Sequence, residues 1–246
     1  MFEFLPRHTG ALLLSTLLSA PAALAADAQQ LLQASDAARG ASASGLGWDV
    51  ELINVGKGPD DHYQMRVRTI ASASTVEILE PVSSKGAKML QVNNNLWLGK
   101  PGLRKAVPIS PRQRLSGLIA IGDVAATNYA RDYNATLLRR EKIDGEECEV
   151  LDLVAKGRNT TYDHIVYWIS ASRHVGLRAE FYSLSGKLMK SATFEYGNAV
   201  TGKSGRLPFV SNMTVVDAVS VEESRMRFTN VKPMALSGSD FNVDAL

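Results

Sequence analysis

From Trp48 to Lys232, apolar and polar residues alternate through one short segment after another, each bounded by Gly, Pro, Asn or Ser. A period of two is the signature of strands that bury one face and wet the other. "WDVELINV", "HYQMRVRTI", "STVEILEPV", "AKMLQVNN", "ATLLRREKID", "EECEVLDLVAK", "DHIVYWIS", "VGLRAEFYS", "KLMKSATFEYG", "FVSNMTVVD" and "ESRMRFTNVK" all fit, rich in Val, Ile and aromatics. In the second, Tyr63, Met65, Val67 and Thr69 share one face and Gln64, Arg66, Arg68 and Ile70 the other. Asp144-Gly145 is a strong hairpin signal, and Ser185-Gly186 marks another tight turn. The pattern predicts about ten or eleven antiparallel strands, and a sheet that wide must curl or close. Its inner surface then needs filling, by helices or by a ligand.

Two stretches break the alternation. Residues 28–40, "AQQLLQASDAARG", place Leu31, Leu32 and Ala38 along one side and end at Gly40, which predicts a short amphipathic helix with a glycine stop. The "ASASGLG" that follows is a flexible connector. From Ser116 to Tyr133, Leu118, Ile121, Val124, Ala125 and Tyr129 recur at roughly helical spacing, a helical or loop insertion between strands. In the terminal "SGSDFNVDAL" a Ser or Asp cap is placed to start a final short turn.

The first residues, "MFEFLPRHTGALLLSTLLSAPAALA", carry Arg7, an apolar run from Ala11 to Leu18 and a small-x-small site at Ala23-Leu24-Ala25. This is the pattern of a cleavable export signal, and its core is shorter than the ~20 residues a bilayer span requires. The expected organisation is a signal peptide over residues 1–25 and a single domain over 26–246, soluble in the periplasm. Ala26 is not a cysteine, so a lipid anchor on the new N-terminus is chemically unavailable.

With 246 residues, 45% hydrophobic and 21% charged, the remainder suits one globular domain. A formal net charge of +2, with dispersed basic residues, argues against nucleic acid as a partner. One cysteine, Cys148, excludes an internal disulfide and a multi-cysteine zinc site, and its alternating surroundings suggest a small buried residue. No nucleophile and base stand out: His62, His164 and His174 are isolated and no Gly-x-Ser-x-Gly elbow occurs. His164 and His174 flank one predicted hairpin with Asp163 nearby; a surface pair at strand ends is the simpler reading than a metal site. No catalytic, cofactor or metal residue is assigned, and a non-enzymatic protein is expected.

"NNLWLGKPGLRKAVPIS", "EKIDGEECEVLDLVAK", "TTYDHIVYWIS" and "LRAEFYSLSGKLMKSATFEYGN", in that order and spacing, resemble the outer membrane lipoprotein-sorting proteins of the LolA-like family, over about Trp48 to Leu246. The resemblance implies a mainly β (α+β) fold: a curled antiparallel sheet forming an open half-barrel, its concave apolar face covered by helices as a lid. It also implies a periplasmic carrier that holds the acyl chains of a lipid or lipoprotein, with an inner-membrane transporter or an outer-membrane acceptor as further partners. Where related sequences carry an aromatic- and acid-rich stretch, this chain has "SGLIAIGDVAATNYARDY", in which Asp123 and Tyr129 keep that character. An apolar cargo is therefore the broader expectation, and a non-enzymatic accessory module of a membrane lipid exporter, using an open sheet edge, is the alternative.

Candidate lipid-binding residues follow. Leu115, Leu118, Ile119 and Ile121, flanked by Gly117 and Gly122, have the apolar character and mobility of a cover; ordinary core packing is the other reading. The resemblance puts Trp97, Leu98 and Leu103, beside Pro101-Gly102, at a sheet edge near the pocket. Arg104 is singled out because a guanidinium donates several hydrogen bonds to carbonyls, phosphates or a lid. Trp48, Trp168, Phe181 and Tyr182 lie on strands and are candidates for the concave face, although alternation alone does not say which face is concave.

Overall fold

The computed structural model describes residues 20–41, 45–55, 61–124, 128–202 and 205–246. The N-terminal part of the expected export signal and the middle of the "ASASGLG" connector lie outside them. β1 (Leu46–Asn54), β2 (His62–Ile70), β3 (Ala73–Glu80), β4 (Lys88–Val92), β5 (Asn95–Gly99) and β6 (Val107–Ile109) form an antiparallel meander. A small hairpin, β7 (Arg114–Ser116) and β8 (Ile119–Ala120), follows, then two one-turn helices, α2 (Ile121–Val124) and α3 (Tyr129–Asp132); the helix α1 (Ala20–Ala37) precedes β1. A second meander comprises β9 (Tyr133–Ile143), β10 (Glu146–Ala155), β11 (His164–Ser170), β12 (Gly176–Tyr182) and β13 (Leu188–Glu195). The side hairpin β14 (Asn198–Gly202) and β15 (Gly205–Phe209) precedes β16 (Asn212–Asp217) and β17 (Glu223–Pro233).

β17 pairs with β1 and β16 with β13, so the two meanders fuse into one 13-stranded sheet, in the order β6-β5-β4-β3-β2-β1-β17-β16-β13-β12-β11-β10-β9. β6 and β9 are its edges, and the curled sheet stays an open half-barrel. The surplus over the expected strand number comes from "WLGKPGLRKAVPIS", which supplies β5 and β6, and from the two small hairpins.

Alternation sorts the side chains as the sequence implies. Trp48, Val50 and Leu52 of β1, Met65 and Val67 of β2, and Ile165, Tyr167 and Ile169 of β11 join one large core on the concave side. Opposite them on the convex side run polar pairs such as Arg66 with Asp49 (3.1 Å) and Arg227 with Glu51. One irregularity resets this pattern. Leu137 stands opposite Leu151 and Arg139 opposite Val150, which leaves Leu138 as an extra residue, a bulge. Beyond it the odd-numbered residues of β9 turn outward. Ile143 then packs with Cys148, Val150, Val166 and Trp168 in a second small cluster on the convex side. A third convex cluster forms where the C-terminal segment lays Phe241, Leu236 and Leu246 over Ala73 and Leu90.

α1 closes one end of the concave face. Ala28 and Leu32 enter the core, and the Gln29 amide acts like one residue of a neighbouring strand: Oε1 accepts from Ala135 N (3.1 Å) and Nε2 donates to Tyr133 O (3.3 Å). That shields the first part of the β9 edge. The predicted stop is real: Gly40 has φ +106°, and the Trp48 ring packs where a Cβ would sit.

Candidate functional site

Residues 110–124 and 128–132 lie across the concave face as a cover. Leu118, Ile119, Ile121 and Val124 bury their side chains in the main core, with Leu115 half-buried against it. Three polar attachments hold the 110–124 part of the cover down. At the β7–β8 tip, Asn54 Nδ2 donates to Ser116 Oγ (2.7 Å), Ser224 Oγ donates to Asn54 Oδ1 (2.6 Å) and Leu118 N donates to Ser224 Oγ (3.0 Å). On the flank, Arg112 makes a two-pronged pair with Asp163 (2.7 and 2.8 Å) and donates to Thr160 O (2.9 Å).

The third attachment is buried. Asp123 caps α2 by accepting from Ala120 N (2.9 Å), accepts from Tyr162 OH (2.7 Å) and pairs with Lys190 Nζ (3.1 Å). Lys190 also donates to Leu118 O and lies against the rings of Tyr162 and Phe181, 5.0 and 5.6 Å from their centroids. Burial first, and the Asp123 carboxylate second, push the Tyr162 phenol well above its ordinary range, so it remains a donor. Beside this cluster opens a cavity of about 300 Å³, lined by Leu118, Ile119, Ala120, Tyr162, Met189 and Lys190 among others. That volume is at the small end of ligand sites.

A second buried polar group sits where α1 ends. The Arg39 guanidinium lies over the rings of Phe194 (4.5 Å) and Tyr129 (5.1 Å). Asp36 Oδ2 accepts from Ala130 N (2.7 Å), while its Oδ1 is buried with no hydrogen-bond partner among the described residues. Desolvation by burial raises the Asp36 carboxyl from 3.8 to about 7, against the opposing pull of the Ala130 N–H and Arg39. The unfolded chain therefore releases this proton near pH 4 and the folded chain only near pH 7. Stability falls as pH rises through that window, and the whole penalty is present above it. Asp36→Asn keeps an acceptor for Ala130 and removes the titration. The expected result is a gain on the order of a few kcal/mol at pH 8 and none at pH 4, read by urea denaturation at both values; an unchanged pH dependence would refute the assignment.

The structure gathers some of the sequence candidates and scatters others. Trp48, Leu98 and Phe181 lie on the concave side with Leu115, Leu118, Ile119 and Ile121. Trp168 does not. It sits on the convex side, its Nε1 donating to Glu141 and its ring flanked by Arg178 (4.9 Å) and Arg139 (5.6 Å). Tyr182 packs beside it. Trp97 is likewise convex and half-buried, directly opposite Leu90 and Pro108. Trp168 belongs to the apolar cluster of the convex face, and Trp97 lies on β5 beside the edge strand β6 with its side chain away from the concave core. Leu103 and Arg104 are exposed in the loop after β5 and line no part of the cavity. His164 pairs with Asp152, and His174 lies beyond the opposite end of β11, so the two histidines do not approach each other. Lys190 was missed, although a lysine sharing the inward parity of Ala192 and Phe194 was the available signal.

A large curled antiparallel sheet that is not closed into a barrel is the architecture of the LolA-like fold. A LolA superfamily protein from Nitrosomonas europaea superposes with a TM-score of 0.77 and 30% identity, covering 89% of this chain and 99% of that one. The chain belongs to the LolA superfamily. A family model described as an uncharacterized protein matches residues 71–246, and the chain belongs to that family as well. The same fold occurs in an outer membrane lipoprotein-sorting protein domain from Vibrio parahaemolyticus (TM-score 0.75, 19% identity, 90% and 98% of the two chains). It recurs in a DUF1329 family protein from Desulfovibrio piger (TM-score 0.71, 19% identity, 91% and 99%). No curated protein gives a significant match.

Proposed function

We propose that this protein is a non-enzymatic periplasmic carrier that holds the acyl chains of a lipid or lipoprotein beneath its cover. The observation that carries the reading is the cover itself: an apolar segment seated on the concave face by a few polar contacts, with an apolar-walled cavity beside it. Each CH₂ removed from water is worth about 0.8 kcal/mol, so a cargo with two or three long chains needs such an enclosure to cross an aqueous space. The side chains already fill most of the concave side. Cargo beyond the 300 Å³ cavity therefore requires the cover to move, and polar attachments that exchange with water at modest net cost suit a part that must open and reseat.

The reading includes export and loss of residues 1–25. Ala28 and Leu32, which α1 places in the core, lie after the expected cleavage site and are kept in the mature chain. The test is native mass spectrometry of protein purified from its own cells, followed by organic extraction and lipid analysis. Stoichiometric lipid or acylated protein is the expected result. A lipid-free mass with no uptake of a fluorescent fatty acid would overturn the carrier in favour of an accessory module that binds a protein partner.

A further inference from the structure

Because neighbouring strands are antiparallel, the loops after β1, β3, β5, β10, β12 and β16 all emerge at the same end of the half-barrel. Among the described residues, the four most exposed large aliphatic side chains are Val82, Leu184, Val219 and Val221, at 86%, 89%, 81% and 101% of full exposure. All four sit on these loops. Leu184 belongs to the turn 183–187 and Val219 and Val221 to the turn 218–222, adjacent because Lys190 pairs with Asp217 and Ala218 N donates to Met189 O. Val82 lies across the arc in the loop 81–87.

The same loops carry exposed Lys85, Lys100, Arg104, Lys105, Arg158 and Lys187, whose side chains have no hydrogen bond or ion pair among the described residues. Among the described residues, the exposed acidic side chains on these loops are Glu80 and Glu222, and the C-terminal residue Leu246 lies against Gly99 beside Lys100. At the other end, the turns 71–72, 93–94, 144–145 and 171–174 hold no large exposed aliphatic, the β14–β15 hairpin carries Leu207 at 46% exposure, and Arg173 is paired with Glu146. The cavity beside the cover opens on the decorated rim, since Ser183, Asp163 and Asp217 line it.

We infer that this rim docks on the surface of an anionic lipid bilayer. Aliphatic tips enter the boundary between headgroups and acyl chains while the unpaired cations meet the lipid phosphates. Basic charge and protruding aliphatics alternate along an arc, which suits a planar anionic surface better than a single protein groove. Docking stands on this geometry alone; that it serves cargo exchange, with the cavity mouth facing the bilayer, rests on the carrier reading.

The experiment is co-sedimentation of the purified protein with phosphatidylethanolamine vesicles containing phosphatidylglycerol, against neutral phosphatidylcholine vesicles. Wild type is expected to bind the anionic vesicles and to release as salt rises. The variant Lys100→Glu, Arg104→Glu, Lys105→Glu should bind roughly a hundredfold more weakly. Leu184→Ser, Val219→Ser, Val221→Ser should bind at least tenfold more weakly at any salt. All six positions are exposed, and an unchanged melting curve verifies folding. No binding by wild type, equal binding to neutral vesicles, or indifference to both variants would overturn the proposal. So would binding confined to native membranes and lost when their proteins are digested. Lipid extraction on the same preparation tests the carrier separately: a lipid-free protein that still sediments with vesicles upholds docking and rejects the carrier.

Discussion

Lys190→Met is expected to lower the free energy of unfolding by about 3–5 kcal/mol, the usual loss when one partner of a buried ion pair is removed. The substitution keeps most of the stem that packs on Tyr162 and Phe181. What goes is the positive charge 3.1 Å from Asp123 Oδ2 and the donor to the Leu118 carbonyl. Asp123 would still accept from Tyr162 OH and Ala120 N, which places the loss toward the lower end of that range. Adding Asp123→Asn should restore part of the stability, because the stranded charge goes with it while acceptors for Tyr162 and Ala120 remain. Urea denaturation of the two single variants and the double variant closes the cycle. Single variants that each cost less than about 1 kcal/mol, or losses that simply add, would mean that the pair does not hold the cover to β13.

The consequence for function lies in where the charge pair sits. It joins α2 to β13 beside the cavity, so weakening it should expose the apolar underside of the cover before the sheet itself unfolds. Binding of a hydrophobic dye by Lys190→Met at a denaturant concentration too low to melt the sheet is the corresponding signature.

Much of this architecture is legible in the chain because a strand with one dry face must alternate, and most of these strands do. Asp144 and Gly145 announce their hairpin through the backbone they require, with φ of 49° and 84°. What alternation does not encode is which face is concave once both are apolar. "HIVYWIS" is buried on both sides, so Tyr167 and Trp168 are indistinguishable by pattern although they point into different clusters. The Leu138 bulge adds a second ambiguity, because one extra residue reverses the parity of the rest of β9 without any change in composition. The cover defeats periodicity for another reason. Its helical spacing is real in Ile121, Val124 and Tyr129, but the chain folds as a two-rung hairpin and two single turns, held by side chains from distant strands. Long-range partners such as Asn54, Ser224 and Lys190 leave only a faint trace in sequence, a polar residue on an otherwise apolar parity.

Gly117→Val should unseat the tip of the cover, at an expected cost of about 3 kcal/mol or more. Two effects combine there. Gly117 has φ +52°, a conformation that a β-branched residue adopts only under strain, and a Cβ would overlap the Asn54 side chain and Ser224 Oγ. Those two groups tie the hairpin down through Ser116 and Leu118 N, so displacing them leaves buried donors and acceptors without partners. Gly102 separates the two effects. Its φ is +91° and nothing lies within 4 Å of its Cβ position, so Gly102→Val carries the backbone strain alone. The difference in stability between the variants measures the seating of the tip. A Gly117 variant that also binds more hydrophobic dye than the Gly102 variant would show the cover lifting at this end. Equal losses at the two glycines would mean that the tip is not wedged against Asn54, leaving the Asp123–Lys190 and Arg112–Asp163 pairs to hold the 110–124 part of the cover.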